Sequence, residues 1–383
     1  MNNPFVFGTA TFDECFTDRK NDTKRLVANF QNGINTLLIS PRRWGKTSLV
    51  LKASSLASND ELKVVNIDIF SCRSEEDFYR LFAVEIIKQT SSRWEEWVQN
   101  IKQFLASLRP KISFGADPIN DFSFFLDFSN KQANEEVLSL PQKLASEKKI
   151  KIVVCIDEFQ QITELNHSVS FQKKLRSVWQ LQKDVSYCLY GSKKHLMSEL
   201  FTKQSLPFYR FGDLIFLQKI ETADWVRYIQ NRFVHTNKFI SADLAELICQ
   251  TVDNHSSYVQ QFSWLIWLRT DKNVTKENFE DAMNDLLNQN SILYYNYLEN
   301  LTALQINFLL AITDGVYHEF SKKEVINKYN LGTSANINRV KKSLEQKELI
   351  DIYPQKITIN DPVFQLWLKK RPFSILQKQQ FYV

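Results

Sequence analysis

Short apolar runs alternate with amphipathic stretches through the first 220 residues of the chain. The runs cover 36–39, 62–70, 151–156, 186–192 and 213–217. Between them, helical spacing covers 22–31, 46–56, 74–90, 135–148 and 171–182. Leu26, Val27 and Phe30 fall on one side of the first helix. Ser74 opens the third, with Glu75, Glu76 and Asp77 in a first turn that favours acids. Continuous apolar runs read as strands buried on both faces. Their alternation with helices predicts an α/β fold built on a doubly wound parallel sheet. Helical spacing continues through Trp94, Trp97, Ile101, Phe104 and Leu105, and 111–115 with 121–126 reads as an irregular or hairpin insertion.

From Glu221 the pattern becomes all-helical, with helices expected over 223–233, 241–251, 258–268 and 275–288. A third pattern starts near residue 300. Helices are expected over 304–313, over 321–329 with Ser321 as N-cap and Glu324 beyond it, and over 334–347. A short hairpin, 348–353 and 356–359, follows. Three helices and a two-stranded wing are the order of a winged helix-turn-helix. The expected domains are therefore an α/β domain over 1–220, a helical domain over 221–298 and a winged helix over 299–383.

At 383 residues the chain is too long for one simple core. With 29 Phe and only 8 Gly it excludes low complexity and disorder. The net charge of +5 is a small excess that permits a nucleic-acid partner without demanding one. Cys15, Cys72, Cys155, Cys188 and Cys249 are scattered and form no C-x-x-C pair, which argues against a zinc site or a disulfide framework. Cys155 and Cys188 fall inside expected strands and read as small buried hydrophobes. Met1 to Phe5 lacks the basic and apolar regions of a signal peptide, and no apolar run approaches a membrane span. The reading is a cytoplasmic, reduced protein.

The chemistry concentrates after the first strand. Ser40-Pro41-Arg42-Arg43-Trp44-Gly45-Lys46-Thr47-Ser48 carries the distal half of the phosphate-loop pattern G-x-x-x-x-G-K-[ST], between a strand and a helix. Backbone N–H groups and a helix N-terminus there would wrap a polyphosphate. Lys46 would reach the terminal phosphates and the Thr47 hydroxyl would hold Mg²⁺. Ser40 stands at the first glycine position and is small enough to read as a tolerated variant. The strand 151–156 runs into Asp157-Glu158 at its carboxyl end, the edge where α/β sheets bind ligands. Asp157 would support Mg²⁺, and Glu158 would orient or deprotonate a water.

Ser192 ends the fourth strand and reads either as a sensor of the terminal phosphate or as a loop residue or helix cap. Arg210, just before the fifth strand, reads either as an arginine finger toward a neighbouring subunit or as an ion pair at the sheet edge. On the last helix, Asn336, Asn338, Arg339, Lys341, Lys342 and Lys347 would face the major groove and its phosphates in a reader of double-stranded DNA. The alternative is a solvated basic face on a packing module, with Glu345, Glu348 and Asp351 weakening the field.

Pro41-Arg42-Arg43-Trp44-Gly45-Lys46-Thr47-Ser48-Leu49 resembles the P-R-R-x-G-K-T-S-L loop of the archaeal-type ATPase family, on the AAA+/STAND side of the P-loop fold. Further similar stretches are Phe16-Thr17-Asp18-Arg19, Ile156-Asp157-Glu158-Phe159-Gln160, Gly191-Ser192, Tyr209-Arg210, Ser257-Tyr258-Val259-Gln260 and 360–368. The sequence departs from that pattern at Ser40, at Ser192 where the first sensor is often Asn, and around 258–261, where a second-sensor arginine is missing. The resemblance implies ATP and Mg²⁺ as cofactors. It also implies that the helical domain is a lid, and that lid and winged helix together are similar to those of origin-recognition ATPases. The expected protein is an ATPase of slow turnover acting as a nucleotide switch, with a homo-oligomer or a protein partner open to it. A DNA-binding regulator gated by ATP and a signalling or assembly scaffold without nucleic acid are the alternatives.

Overall fold

The computed structural model describes residues 3–9, 19–91 and 131–370. Phe16 to Asp18, Cys15 and the 92–130 insertion lie outside the described residues. The chain divides into two compact units, Arg19–Gln218 and Met1–Asp18 with Lys219–Val383.

The first unit runs α1 (Lys20–Gln31), β1 (Thr36–Ile39), α2 (Lys46–Ala57), β2 (Leu62–Asp68), α3 (Glu75–Thr90), α4 (Lys131–Lys148), β3 (Lys151–Asp157), a 3-10 turn (Phe159–Thr163), α5 (Ser168–Trp179), β4 (Val185–Gly191), α6 (Lys194–Thr202) and β5 (Asp213–Phe216). The five strands are parallel in the order β2-β3-β4-β1-β5, the doubly wound sheet the sequence predicted. Register decides what meets at the carboxyl edge. Ile39 pairs with Gly191 and Ile156 with Leu189, so the exits of β1, β3 and β4 lie side by side. The loop after β1, the acids after β3 and Ser192 after β4 share that edge.

One face of the sheet is covered by an aromatic core in which Phe78, Phe82, Phe159, Phe171, Trp179, Tyr187 and Phe208 are all buried. Trp179 stacks on Tyr187 at 4.1 Å, and Phe159 meets Phe208 edge-on at 5.2 Å. The abundance of Phe therefore serves packing, since each ring removes a large apolar area from water. Phe159 follows the acidic pair directly, so the core anchors the turn that carries Glu158. Cys155 and Cys188 are buried in register with one another, as small hydrophobes of the strand interior. The Ser74 capping box opens α3 as expected, with Asp77 as its reciprocal partner. Helix α5 starts and ends about three residues earlier than its periodicity suggested, and α6 was not expected. Helix α6 is only 9 residues long and has no side-chain cap, so its sequence signal is weak.

The second unit contains α7 (Thr222–Val234), α8 (Ala242–Thr251), α9 (Ser256–Arg269), α10 (Lys276–Glu299), α11 (Ala303–Thr313), α12 (Lys323–Tyr329), α13 (Ser334–Gln346), β6 (Ile350–Tyr353), β7 (Lys356–Ile359) and α14 (Pro362–Lys370). Strands β6 and β7 pair antiparallel as the expected wing. One apolar core runs from Ile220 through the helical segment and the winged helix to Leu368. Phe5 joins it, packing on Tyr228 and Phe233 while Arg232 donates to the Pro4 carbonyl.

Two expectations are corrected here. Helix α10 is 24 residues long and continues beyond Asn288 to Glu299. The polar run Asn288-Gln289-Asn290-Ser291 interrupts the apolar period, but Asn290 and Ser291 bond back to the carbonyls of Leu286 and Leu287 at 2.7 and 2.8 Å. Beyond them Tyr294 and Leu298 are buried, Tyr294 against Phe364 and Trp367. Ser321 does not cap α12; Lys322 occupies the N-cap position and makes no side-chain cap. Glu319, in the left-handed region at φ 57°, turns the chain there and its carbonyl accepts from the Lys322 N–H. Tyr258 of α9 and Tyr294 of α10 both donate to Asp361, whose other oxygen caps α14 at the N–H groups of Val363 and Phe364. Among the described residues no helix is long and apolar enough to cross a membrane.

Candidate functional site

Loop 40–45 leaves the buried strand β1 and enters α2 at Gly45, which sits at φ 87° as N-cap. The left-handed positions of the loop are Arg43, at φ 62°, and Gly45. Ser40 is not among them, so the missing glycine costs no backbone strain here. Ser40 is fully buried and its hydroxyl donates to the Pro41 carbonyl at 3.0 Å. Arg42 and Arg43 are exposed, Pro41, Trp44 and Thr47 half-buried, and Lys46 and Ser48 buried.

The structure brings Lys46, Thr47, Asp157, Glu158 and Ser192 together. The Thr47 hydroxyl donates to Asp157 Oδ2 at 2.7 Å. Lys46 Nζ lies 3.3 Å from Asp157 Oδ1 and 3.7 Å from Glu158 Oε1. It also stands 5.7 Å above the Tyr190 ring. The Ser192 hydroxyl donates to Glu158 Oε2 at 2.9 Å. Glu158 occupies the left-handed region at φ 53°, with its N–H on Asp157 Oδ1 at 2.8 Å. Such a conformation costs a non-glycine residue about 1 kcal/mol and persists where its surroundings over-determine it.

Burial pushes the Asp157 carboxyl above the ordinary range, against the pull of Lys46, the Thr47 hydroxyl and the Glu158 N–H. Burial acts on Glu158 in the same sense, but Lys46, Gln160, Ser192 and Arg42 outweigh it and hold the carboxyl below its ordinary value. Glu158 is therefore held as the ionised acceptor of these bonds. For Mg²⁺ the donor set fits. The Thr47 hydroxyl and Asp157 carboxylate are hard oxygen donors within bonding distance of one another, and a nucleotide and water supply the remainder.

Two residues of the site had no role in the sequence reading. Gln160 is 2 % exposed and its amide N–H donates to Glu158 Oε2. Gly191 leaves room for it, since a Cβ there would stand 1.9 Å from Gln160 Oε1 and 2.8 Å from Met197 Sδ. Both fall inside stretches that resemble the ATPase family, Ile156 to Gln160 and Gly191-Ser192, but the resemblance gave neither a role.

Arg210 is not brought to this group. It is exposed, packs over the Tyr209 ring at 5.2 Å and precedes β5, at the amino edge of the sheet. It cannot serve a nucleotide in its own chain.

In the winged helix, Ile337, Val340 and Leu344 face the core, and Asn338, Arg339 and Lys342 are exposed together on the other side of α13. Lys341 lies over the Phe320 ring at 5.3 Å and burial lowers its pKa. Lys347 donates to the Asn300 carbonyl at 2.8 Å. The half-buried Asn336 side chain occupies the space beside Gly332. Asn338, Arg339, Lys342 and the C-cap Lys347 are exposed, while Asn336 and Lys341 are half-buried.

A parallel sheet in this strand order, with a lysine-threonine loop after β1 and an acidic pair after β3, defines a P-loop ATPase fold, here followed by a winged helix. The Walker-type ATPase PABY2304 of Pyrococcus abyssi has the same architecture. It is 17% identical, with 96% of this chain and 99% of that one covered at a TM-score of 0.70. The Aeropyrum pernix ORC2 protein, solved as ADPNP–ADP complexes, is 12% identical with 97% and 98% covered and a TM-score of 0.58. A family model described as a probable winged helix domain matches residues 292–370. No curated protein matches the sequence.

Gly191→Ala is expected to lower stability by about 1–3 kcal/mol through the forced displacement of Gln160. In a Gln160→Ala background the same change should cost much less, as denaturant unfolding of the four proteins would show. Equal costs in both backgrounds would contradict this packing.

Proposed function

We propose that the protein binds ATP with Mg²⁺, hydrolyses it slowly, and uses the nucleotide as a switch coupled to its winged helix. The observation that carries this reading is the meeting of Lys46, Thr47, Asp157, Glu158 and Ser192 at the exits of three adjacent strands. Backbone N–H groups of residues 40–48 would hold the phosphates, and the Lys46 ammonium would exchange its carboxylate partners for phosphate oxygens. When bound between Thr47 and Asp157, Mg²⁺ would neutralise charge on the phosphates. Glu158 would accept a hydrogen bond from the attacking water and fix its direction. The Ser192 hydroxyl, now on Glu158, is free to rotate toward the terminal phosphate and so to report its presence. Turnover is slow in this reading because Arg210 of the same chain stands at the other edge of the sheet. An arginine finger at the terminal phosphate would come from a second subunit or a partner in this reading, and Arg42 of the loop is the arginine already acting on Glu158.

Phosphate release from ATP and Mg²⁺ tests the reading. Glu158→Gln should still bind ATP but release phosphate about a hundred-fold more slowly. Release at the wild-type rate would remove Glu158 from the reaction.

The exposed trio Asn338, Arg339 and Lys342 favours double-stranded DNA as the partner of the winged helix. Duplex binding should weaken with salt, and Arg339→Ala or Lys342→Ala should each reduce the salt slope by about one. No binding at low salt, together with self-association on adding ATP, would point instead to an assembly scaffold.

A further inference from the structure

Arg19 occupies the N-cap of α1, a position that prefers Ser, Thr, Asn or Asp in extended backbone. It is in the left-handed region at φ 60° and makes no capping bond. Its side chain is 4 % exposed and is committed elsewhere. One guanidinium nitrogen, Nη2, donates to the Trp44 carbonyl at 2.8 Å. The other, Nη1, donates to the Gln218 carbonyl at 2.8 Å and pairs with Asp22 at 3.3 Å.

Both carbonyls matter by their place in the fold. Trp44 immediately precedes Gly45, the N-cap of the phosphate-loop helix. A peptide unit is planar and trans, so its C=O and N–H point in opposite directions. Drawing the Trp44 oxygen onto the guanidinium therefore turns the Gly45 N–H away from Arg19. A phosphate loop works only if its N–H groups converge on the anion, and this one is fixed by a charged partner behind it. The same charge polarises the peptide and makes the Gly45 N–H a stronger donor. Gln218 is the last residue of the α/β unit, next to Leu217, whose N–H closes the ladder onto Ile39 at 2.9 Å. One buried guanidinium thus joins the loop to the exit of β5.

We propose that Arg19 is the positioning residue of the phosphate loop, aligning the Gly45 N–H for phosphate and tying the loop to the segment at Gln218. This rests on the reading of 40–48 as a nucleotide site and adds a determinant of its affinity outside the motif. Only the fork of an arginine reaches two separated carbonyls while keeping its charge.

The test is calorimetric titration of ATP and Mg²⁺ into wild type, Arg19→Ala and Arg19→Lys, with thermal midpoints of the nucleotide-free proteins. Arg19→Ala should bind about ten-fold more weakly or worse. Arg19→Lys, whose single ammonium lacks the two separated nitrogens of the fork, should also bind more weakly than wild type, and it decides the matter if the alanine variant does not fold. Added guanidinium ion should restore part of the affinity of Arg19→Ala, an effect that a purely structural defect would not show. Wild-type affinity in both variants, or a loss that guanidinium leaves unchanged in a folded Arg19→Ala, overturns the proposal. Failure of wild type itself to bind ATP would overturn the nucleotide reading first, before any variant is compared.

Discussion

A buried ammonium needs anions around it, and the α/β unit is arranged to provide them. Lys46 is 7 % exposed, and leaving its charge unpaired at that depth would cost several kcal/mol. Asp157 and Glu158 supply the compensation, and Thr47 and Ser192 fix the two carboxylates by hydroxyl donors. Two acids face one buried lysine, and Arg42 of the loop also acts on Glu158. The geometry depends on strand register, because a slip of β3 against β4 would carry Asp157 away from Thr47.

The rest of the unit supports that register. The aromatic core beneath the acidic turn, with Phe159 wedged among Trp179, Phe201 and Phe208, holds the backbone of Glu158 in a conformation it would not adopt alone. Gly191 and Gln160 fill the remaining space between β4 and the turn. Behind the loop Arg19 performs the equivalent task for the peptide of Trp44 and Gly45. The grouped polar side chains, the aromatic core and the residues behind the loop are in this way parts of one packing problem.

Much of this was legible in the sequence. Continuous apolar runs gave all five parallel strands, and the strand–loop–helix setting of Gly45-Lys46-Thr47 identified the phosphate loop. The order of three helices and a hairpin gave the winged helix. What escaped the sequence depended on tertiary neighbours. Nothing local distinguishes Gln160 from any polar turn residue, because its role comes from Gly191 on another strand. Helix α10 seemed to stop at a polar run that side-chain bonds to its own backbone carry through. Arg210, read in sequence as a finger toward a neighbouring subunit or an edge ion pair, stands before β5 and so at the opposite edge from residues that follow a parallel strand. Basic residues on and just after α13 read alike in sequence; burial separates the exposed Arg339 and Lys342 from the half-buried Lys341, and a bond to the Asn300 carbonyl engages the exposed Lys347.

The central claim is that the pocket around Lys46 is a nucleotide site. Titration of ATP with Mg²⁺ into wild type and Lys46→Ala addresses it without requiring turnover. The account predicts binding to wild type and an affinity about a hundred-fold lower or worse in the variant, since the phosphates would lose their buried cation. Equal affinity in the two proteins, or none in wild type, would contradict it.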